Sequence, residues 1–290
     1  MAAQRLAAPD YCPMRALAFI LLLPLAACGG GNNAPAPQPA QNQPAAVKRD
    51  DSANQKRARE LYDKAQEHFT RGDYVGAVPL LEQACELAPG DWEVQARLGH
   101  AYERVRRFAE ARAQFMLAAK LAEGDERVEL EGRAAHCSHV LADEAYKRGE
   151  DKLALEHLRD AVKLRPAEAE ISMLLGYVQQ RRKEYAEAES AFRLAADLFT
   201  DARRRDAMFW LGQAQFAQEK YEETLETYTT LINERMTSND IYGWRAYCHH
   251  LLGNREEARR DFEKAGEYAT TPEKRKEYAD AAAALAREGD

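Results

Sequence analysis

The feature that most constrains this chain is a repeat that emerges only when the sequence is compared with itself. Alignment on Ala77, Ala111, Ala154, Ala188, Thr224 and Ala258 gives successive spacings of 34, 43, 34, 36 and 34 residues. Four residues beyond each stands a large apolar side chain: Leu81, Phe115, Leu158, Phe192, Tyr228 and Phe262. Seven beyond stand Ala84, Ala118, Ala161, Ala195, Leu231 and Ala265, and twelve before stand Ala65, Gly99, Ala142, Gly176, Gly212 and Ala246. Only Thr224 and Leu231 are off type. Agreement in four columns makes each copy one supersecondary unit, and offsets of four and seven fall on one helix face. A Gly or Ala in a first helix lets a large residue of a second helix approach its backbone, so each unit reads as an antiparallel helix pair. The expected fold is all-α: an α-solenoid of about six helix pairs plus a C-terminal capping helix.

Punctuation between the columns fits this reading. Turn residues occur at Arg71-Gly72-Asp73, in "KRGED" from Lys147 to Asp151, and at Leu252-Gly253-Asn254, while Pro89 and Pro166 stop second helices. The copies run over about residues 58–91, 92–125, 135–168, 169–202, 205–238 and 239–272, within a repeat region of 55–272. Nine extra residues, Glu126 to Ala134, predict a lengthened helix before the third copy. Thr224 and Leu231 predict that the fifth copy packs differently. The last stretch, 273–290, contains "EKRKEYADAAAALAREG" and predicts a polar helix that caps the open end of the stack.

The pattern resembles the tetratricopeptide repeat, whose unit is 34 residues, and the second copy, "WEVQARLGHAYERVRRFAEARAQFMLAAKLAEGD", matches over its whole length. The resemblance implies a concave surface lined by the first helix of each pair, with the second, fifth, ninth and twelfth residues of each copy facing it. The fifth residues are Tyr62, Ala96, His139, Met173, Phe209 and Gly243; the ninth are Gln66, His100, Asp143, Tyr177, Gln213 and Tyr247. The twelfth are Phe69, Glu103, Tyr146, Gln180, Phe216 and His250. Eight of these eighteen are aromatic or methionine, more than a surface without a partner needs. With Ala96, Gly243, Glu103 and His250 set aside, the other fourteen form the expected groove for an extended or helical peptide. The plainer alternative is that some of the aromatics pack between neighbouring repeats. The carboxylate clamp of chaperone cofactors with this repeat needs a Lys at the fifth and an Asn at the ninth position of the first copy, where Tyr62 and Gln66 stand.

No constellation of catalytic residues is present: the sequence has neither a Gly-rich phosphate loop nor G-x-S-x-G. His136 and His139 are one helical turn apart and suggest a metal-dependent enzyme as an alternative, but a third and fourth ligand are missing nearby. "CHH", Cys248 to His250, reads as structural. The expected chain is not an enzyme and has no cofactor and no metal. A net charge of -7, with runs such as Arg203 to Arg205 flanked by acids, argues against nucleic acid as partner. Cys85, Cys137 and Cys248 are widely separated and read as small buried or half-buried hydrophobes rather than a disulfide framework.

The N-terminus says something different. "ALAFILLLPLAA", Ala16 to Ala27, is shorter than the roughly 20 apolar residues of a membrane span and follows Arg15, as the core of a signal peptide does. Met14 offers a second start for this leader, 1–27. Leu25-Ala26-Ala27-Cys28 resembles the lipobox of bacterial lipoproteins, which implies that Cys28 is lipidated and becomes the first residue of the mature chain. The plainer reading is an ordinary signal peptide that contains a cysteine. Gly29 after the cysteine, rather than Asp, implies the outer membrane, with the chain facing the periplasm. Residues 28–54 hold no aromatic residue and one valine, too little apolar area to order, and are expected to form a disordered tether. Repeats behind a lipobox resemble the pilotin lipoproteins of type IV pilus secretins; other partners in keeping with this architecture are a protease or a peptidoglycan enzyme.

Overall fold

In the computed structural model, which describes residues 51–287, thirteen helices follow one another without a strand among the described residues. The leader, Cys28 and the tract up to residue 50 lie outside the described residues. The first two pairs are α1 (Asp51–Thr70) with α2 (Tyr74–Leu87) and α3 (Trp92–Arg104) with α4 (Phe108–Leu121). The third and fourth are α5 (Gly124–Lys147) with α6 (Asp151–Leu164) and α7 (Ala169–Arg181) with α8 (Tyr185–Leu198). The fifth and sixth are α9 (Arg203–Ala217) with α10 (Tyr221–Asn233) and α11 (Asn239–Leu251) with α12 (Arg255–Tyr268), and α13 (Pro272–Arg287) closes the chain. None of these helices is long and apolar enough to cross a membrane.

All four sequence columns are buried in all six pairs. Their packing follows the side-chain volumes. A Cβ added to Gly99 would sit 2.8 Å from the Phe115 ring, one on Gly176 2.6 Å from Phe192, and one on Gly212 2.7 Å from Tyr228. Pairs with Ala in that column carry Leu opposite, Ala65 with Leu81 and Ala142 with Leu158; Ala246 with Phe262 is the exception. In the fifth pair Thr224 and Leu231 are both fully buried in the same columns as their counterparts, while α9 and α10 meet over a smaller contact than the helices of the other pairs, as the off-type residues predict. Thr224 fits an apolar slot because its hydroxyl donates to the Lys220 carbonyl one turn back, at 2.7 Å.

A fifth column, marked in the sequence only at the turn glycines of three copies, sits in the turn inside each pair. Gly72, Arg106, Gly149, Lys183, Glu219 and Gly253 all have φ between 61° and 81°. The residue after each donates its amide to the carbonyl five residues earlier, from Asp73 to His68 at 2.9 Å through Asn254 to His249 at 2.8 Å. This is the left-handed helix stop that favours glycine, yet three copies use Arg, Lys or Glu. Lys183→Gly is expected to raise the unfolding free energy by about 0.5–1 kcal/mol, the relief of a left-handed L-residue less the entropy of a new glycine. Gly149→Ala is expected to lower it by about as much, and urea unfolding followed by circular dichroism checks both.

One boundary moves. The expected tether limit at residue 54 lies inside α1, which begins at Asp51. The nine inserted residues do lengthen a helix, and α5 reaches 24 residues. The final helix is more than a polar cap: Tyr278, Ala281, Ala282 and Leu285 are buried, and the Tyr278 hydroxyl reaches within 2.8 Å of the position a Cβ on Gly243 would take. It packs against α12 much as a further first helix would, which is why it needs an apolar stripe.

Candidate functional site

Side chains three and four residues apart share a helix face, and α5, α7 and α9 each turn such a face to one cleft of about 500 Å3. From α5 come His139, Asp143, Tyr146 and Lys147; from α7 come Glu170, Met173, Leu174 and Tyr177. Helix α9 supplies Arg203, Asp206, Phe209 and Trp210, and Phe199 enters from the preceding connection. Six of the fourteen expected groove residues meet here: His139, Asp143, Tyr146, Met173, Tyr177 and Phe209.

Aromatic rings cross the three helices without a break. Tyr146 stacks on Tyr177 with centroids 6.4 Å apart, Tyr177 meets Trp210 edge-on at 5.3 Å, and Trp210 meets Phe209 edge-on at 5.7 Å. Behind them Phe192 supports both Tyr177, at 5.5 Å, and Trp210, at 6.3 Å. The Arg181 guanidinium lies 3.8 Å from the centre of the Tyr146 ring, donates to the Tyr146 carbonyl at 2.9 Å and pairs with Asp151, so this end of the row is fixed from below. The rim is charged and mostly paired, Lys147 with Asp143 and Arg203 with Glu170, with the Asp206 carboxylate beside them. Burial holds the His139 imidazole below its usual range, with His136 adding to the effect, which favours the neutral ring. Burial pushes the Tyr177 phenol up to about 12, which keeps it a hydrogen-bond donor. An apolar, aromatic floor with a mostly paired charged rim can hold a peptide segment; it offers no nucleophile activated by a base.

The remaining expected groove residues go elsewhere. Tyr62 and Tyr247 are only 8% and 7% exposed, so they belong to the interior, and Tyr247 packs edge-on against Phe262 at 5.0 Å. Gln66 donates to the Tyr62 hydroxyl at 3.4 Å and Gln213 to the Tyr228 hydroxyl at 3.0 Å. Phe216 lies between Tyr221 and Trp244, with centroids at 5.5 and 4.8 Å, and is half-buried there. Gln180 is half-buried outside the cleft, its amide oxygen without a protein partner. Phe69 and His100 line a separate cavity with Glu103. Sequence reasoning missed Trp210 and Leu174, both at the sixth position of their copies, a column that also holds Trp244. That clustering of large apolar residues was a usable signal.

The two histidines of α5 line one cavity with Arg165, Glu168 and Glu170, but only His139 also reaches the cleft. His136 is exposed and lies 3.9 Å from Glu103, whereas His139 faces the cleft. Among the described residues no three His, Cys, Asp or Glu side chains converge as metal ligands. Cys137 and Cys248 are buried and Cys85 half-buried, all free thiols, and burial pushes each up to about 12.

Stacked helix pairs with an aromatic cleft on their first helices define a helical-repeat binding scaffold. Three family models described as tetratricopeptide repeat match residues 68–131, 139–203 and 240–269, together more than half of the chain. The chain is a tetratricopeptide-repeat protein, and such repeats make protein-protein interaction scaffolds. The matched spans leave out residues 205–238, the copy with Thr224 and Leu231. No curated protein sequence matches the chain. Among solved structures, a chain of the APC/C hetero-tetramer Cut9-Hcn1 is 12% identical, with a TM-score of 0.45; the match covers 80% of this chain and 46% of that one, so this chain spans about half its length. MamA from Desulfovibrio magneticus RS-1 is 22% identical over 62% of this chain and 96% of its own, with a TM-score of 0.40. Pseudomonas aeruginosa pilF is 14% identical over 79% and 99%, with a TM-score of 0.40.

Proposed function

We propose that this protein is a lipid-tethered adaptor of the cell envelope that holds a segment of a partner protein in the cleft between α5, α7 and α9. The observation that carries the binding half is the unbroken row Tyr146, Tyr177, Trp210 and Phe209, part-exposed aromatic surface backed by a rigid core. Aromatic anchors in a preformed cleft are what binding hot spots are made of. The tethering half rests on Leu25-Ala26-Ala27-Cys28 at the end of the apolar run. A multiply acylated cysteine holds a chain stably on a bilayer, since about two acyl signals suffice. In this reading the solenoid faces the periplasm from the outer membrane.

Labelled palmitate tests the tether: the wild-type chain is expected to incorporate it and to fractionate with membranes, and Cys28→Ala to do neither. An unlabelled wild-type chain would remove the lipid anchor from the account while leaving the cleft. A pilotin role is the narrower form of the proposal. Secretin multimers that assemble normally after deletion of this protein would reject that form.

A further inference from the structure

We propose that a second site, between α3 and the turns beside it, binds an acidic peptide segment of a partner. A cavity of about 560 Å3 there is walled by Arg97, Arg104, Arg106 and Arg133, with Glu103 as its one carboxylate. In a chain of net charge -7 this is a local inversion of sign. Aromatic faces fix three of the guanidinium groups: Arg97 over Phe69 at 5.1 Å, Arg104 over Tyr74 at 4.6 Å and Arg106 over Phe108 at 5.4 Å.

Their ion pairing is incomplete. Glu103 pairs with Arg133 at 3.4 Å and lies 3.6 Å from His100 and 3.9 Å from His136, so its charge is already committed. Arg106 has Glu144 at 3.2 Å. Arg97 and Arg104 meet aromatic rings, and Arg97 also the Tyr62 hydroxyl at 3.5 Å, but neither meets a carboxylate among the described residues. Two planar forks held in place with free donors are suited to bidentate carboxylates. A nucleic acid fits less well, because the faces on which bases would stack are covered by the arginines. The inference rests on the reading that this chain binds protein segments, but not on the α5–α7–α9 cleft.

Fluorescein-labelled hexaglutamate, titrated into the full-length chain at low salt and followed by anisotropy, tests it. Binding is expected, and Arg97→Glu with Arg104→Glu is expected to weaken it about tenfold or more, while Arg97→Lys with Arg104→Lys gives an intermediate loss. The same reversal at exposed Arg260 and Lys264 on α12 is expected to change affinity by less than about twofold. No binding of hexaglutamate, or equal losses from the two reversals, overturns the proposal. Displacement by inorganic phosphate at matched charge concentration also overturns it, by making the site one for phosphate. Should the reversal disturb folding, the lysine variant still decides, since unchanged binding there contradicts a need for the guanidinium fork. The cleft variant Met173→Ala with Phe209→Ala is expected to keep hexaglutamate binding, so failure here and failure of the cleft are separable.

Discussion

Phe192→Ala is expected to lower the unfolding free energy by about 3–5 kcal/mol, the range for removing a fully buried phenyl ring from a core that collapses only in part. Phe192 has no exposed surface, and its ring fills the space left by the missing side chain of Gly176. Gly176→Ala tests the same contact from the other side. Its new Cβ would lie 2.6 Å from the ring, and overpacking of about 1–3 kcal/mol outweighs the gain of roughly 1 kcal/mol from a better helix former. Combining Gly176→Ala with Phe192→Leu recreates the pairing that Ala65 with Leu81 and Ala142 with Leu158 already use. The double variant is expected to be more stable than the sum of its parts by about 1 kcal/mol or more, the size of coupling seen between residues in contact. Strictly additive losses in urea unfolding would mean that the ring and the glycine are not the packing unit described. The same variant reaches the cleft, because Phe192 backs Tyr177 and Trp210.

The second large effect is on binding. Met173→Ala with Phe209→Ala strips two anchors from the cleft while leaving the deeper Phe192 and Tyr228 in place. Loss of hot-spot side chains typically costs about 2 kcal/mol or more, so the affinity for the partner segment is expected to fall by about thirtyfold. Leu194→Ala, on the exposed face of α8, is the matched control and is expected to change nothing. Phe216→Ala is expected to have a small effect on affinity, because Phe216 packs with Tyr221 and Trp244 outside the cleft. Thermal unfolding of each variant separates lost binding from lost structure.

The fold was legible because packing in a repeat array is local. Each buried column recurs in all six pairs, so six weak signals add to a strong one, and the helix lengthened by Glu126 to Ala134 followed from length alone. The turn column was legible in only half of the copies because its requirement is a backbone angle; glycine marks it in three while Arg106, Lys183 and Glu219 hide it in the others. Of the expected groove positions, only those in the middle of the array line one cleft. Helix position tells which way Tyr62 and Tyr247 leave the backbone but not what lies across from them, and at both ends of the array neighbouring side chains close over these rings. Trp210 was missed for the reverse reason: one position beyond the expected face, a large enough ring still reaches the cleft.

The most direct test places a photo-crosslinking amino acid at Phe209, in the cleft, and separately at Leu194 on α8, and identifies by mass spectrometry what each captures in the living cell. The account predicts that the Phe209 probe crosslinks to one defined segment of one partner protein, that Met173→Ala abolishes the product, and that the Leu194 probe gives none. No product from Phe209, or the same products from both positions, would contradict a binding cleft between α5, α7 and α9.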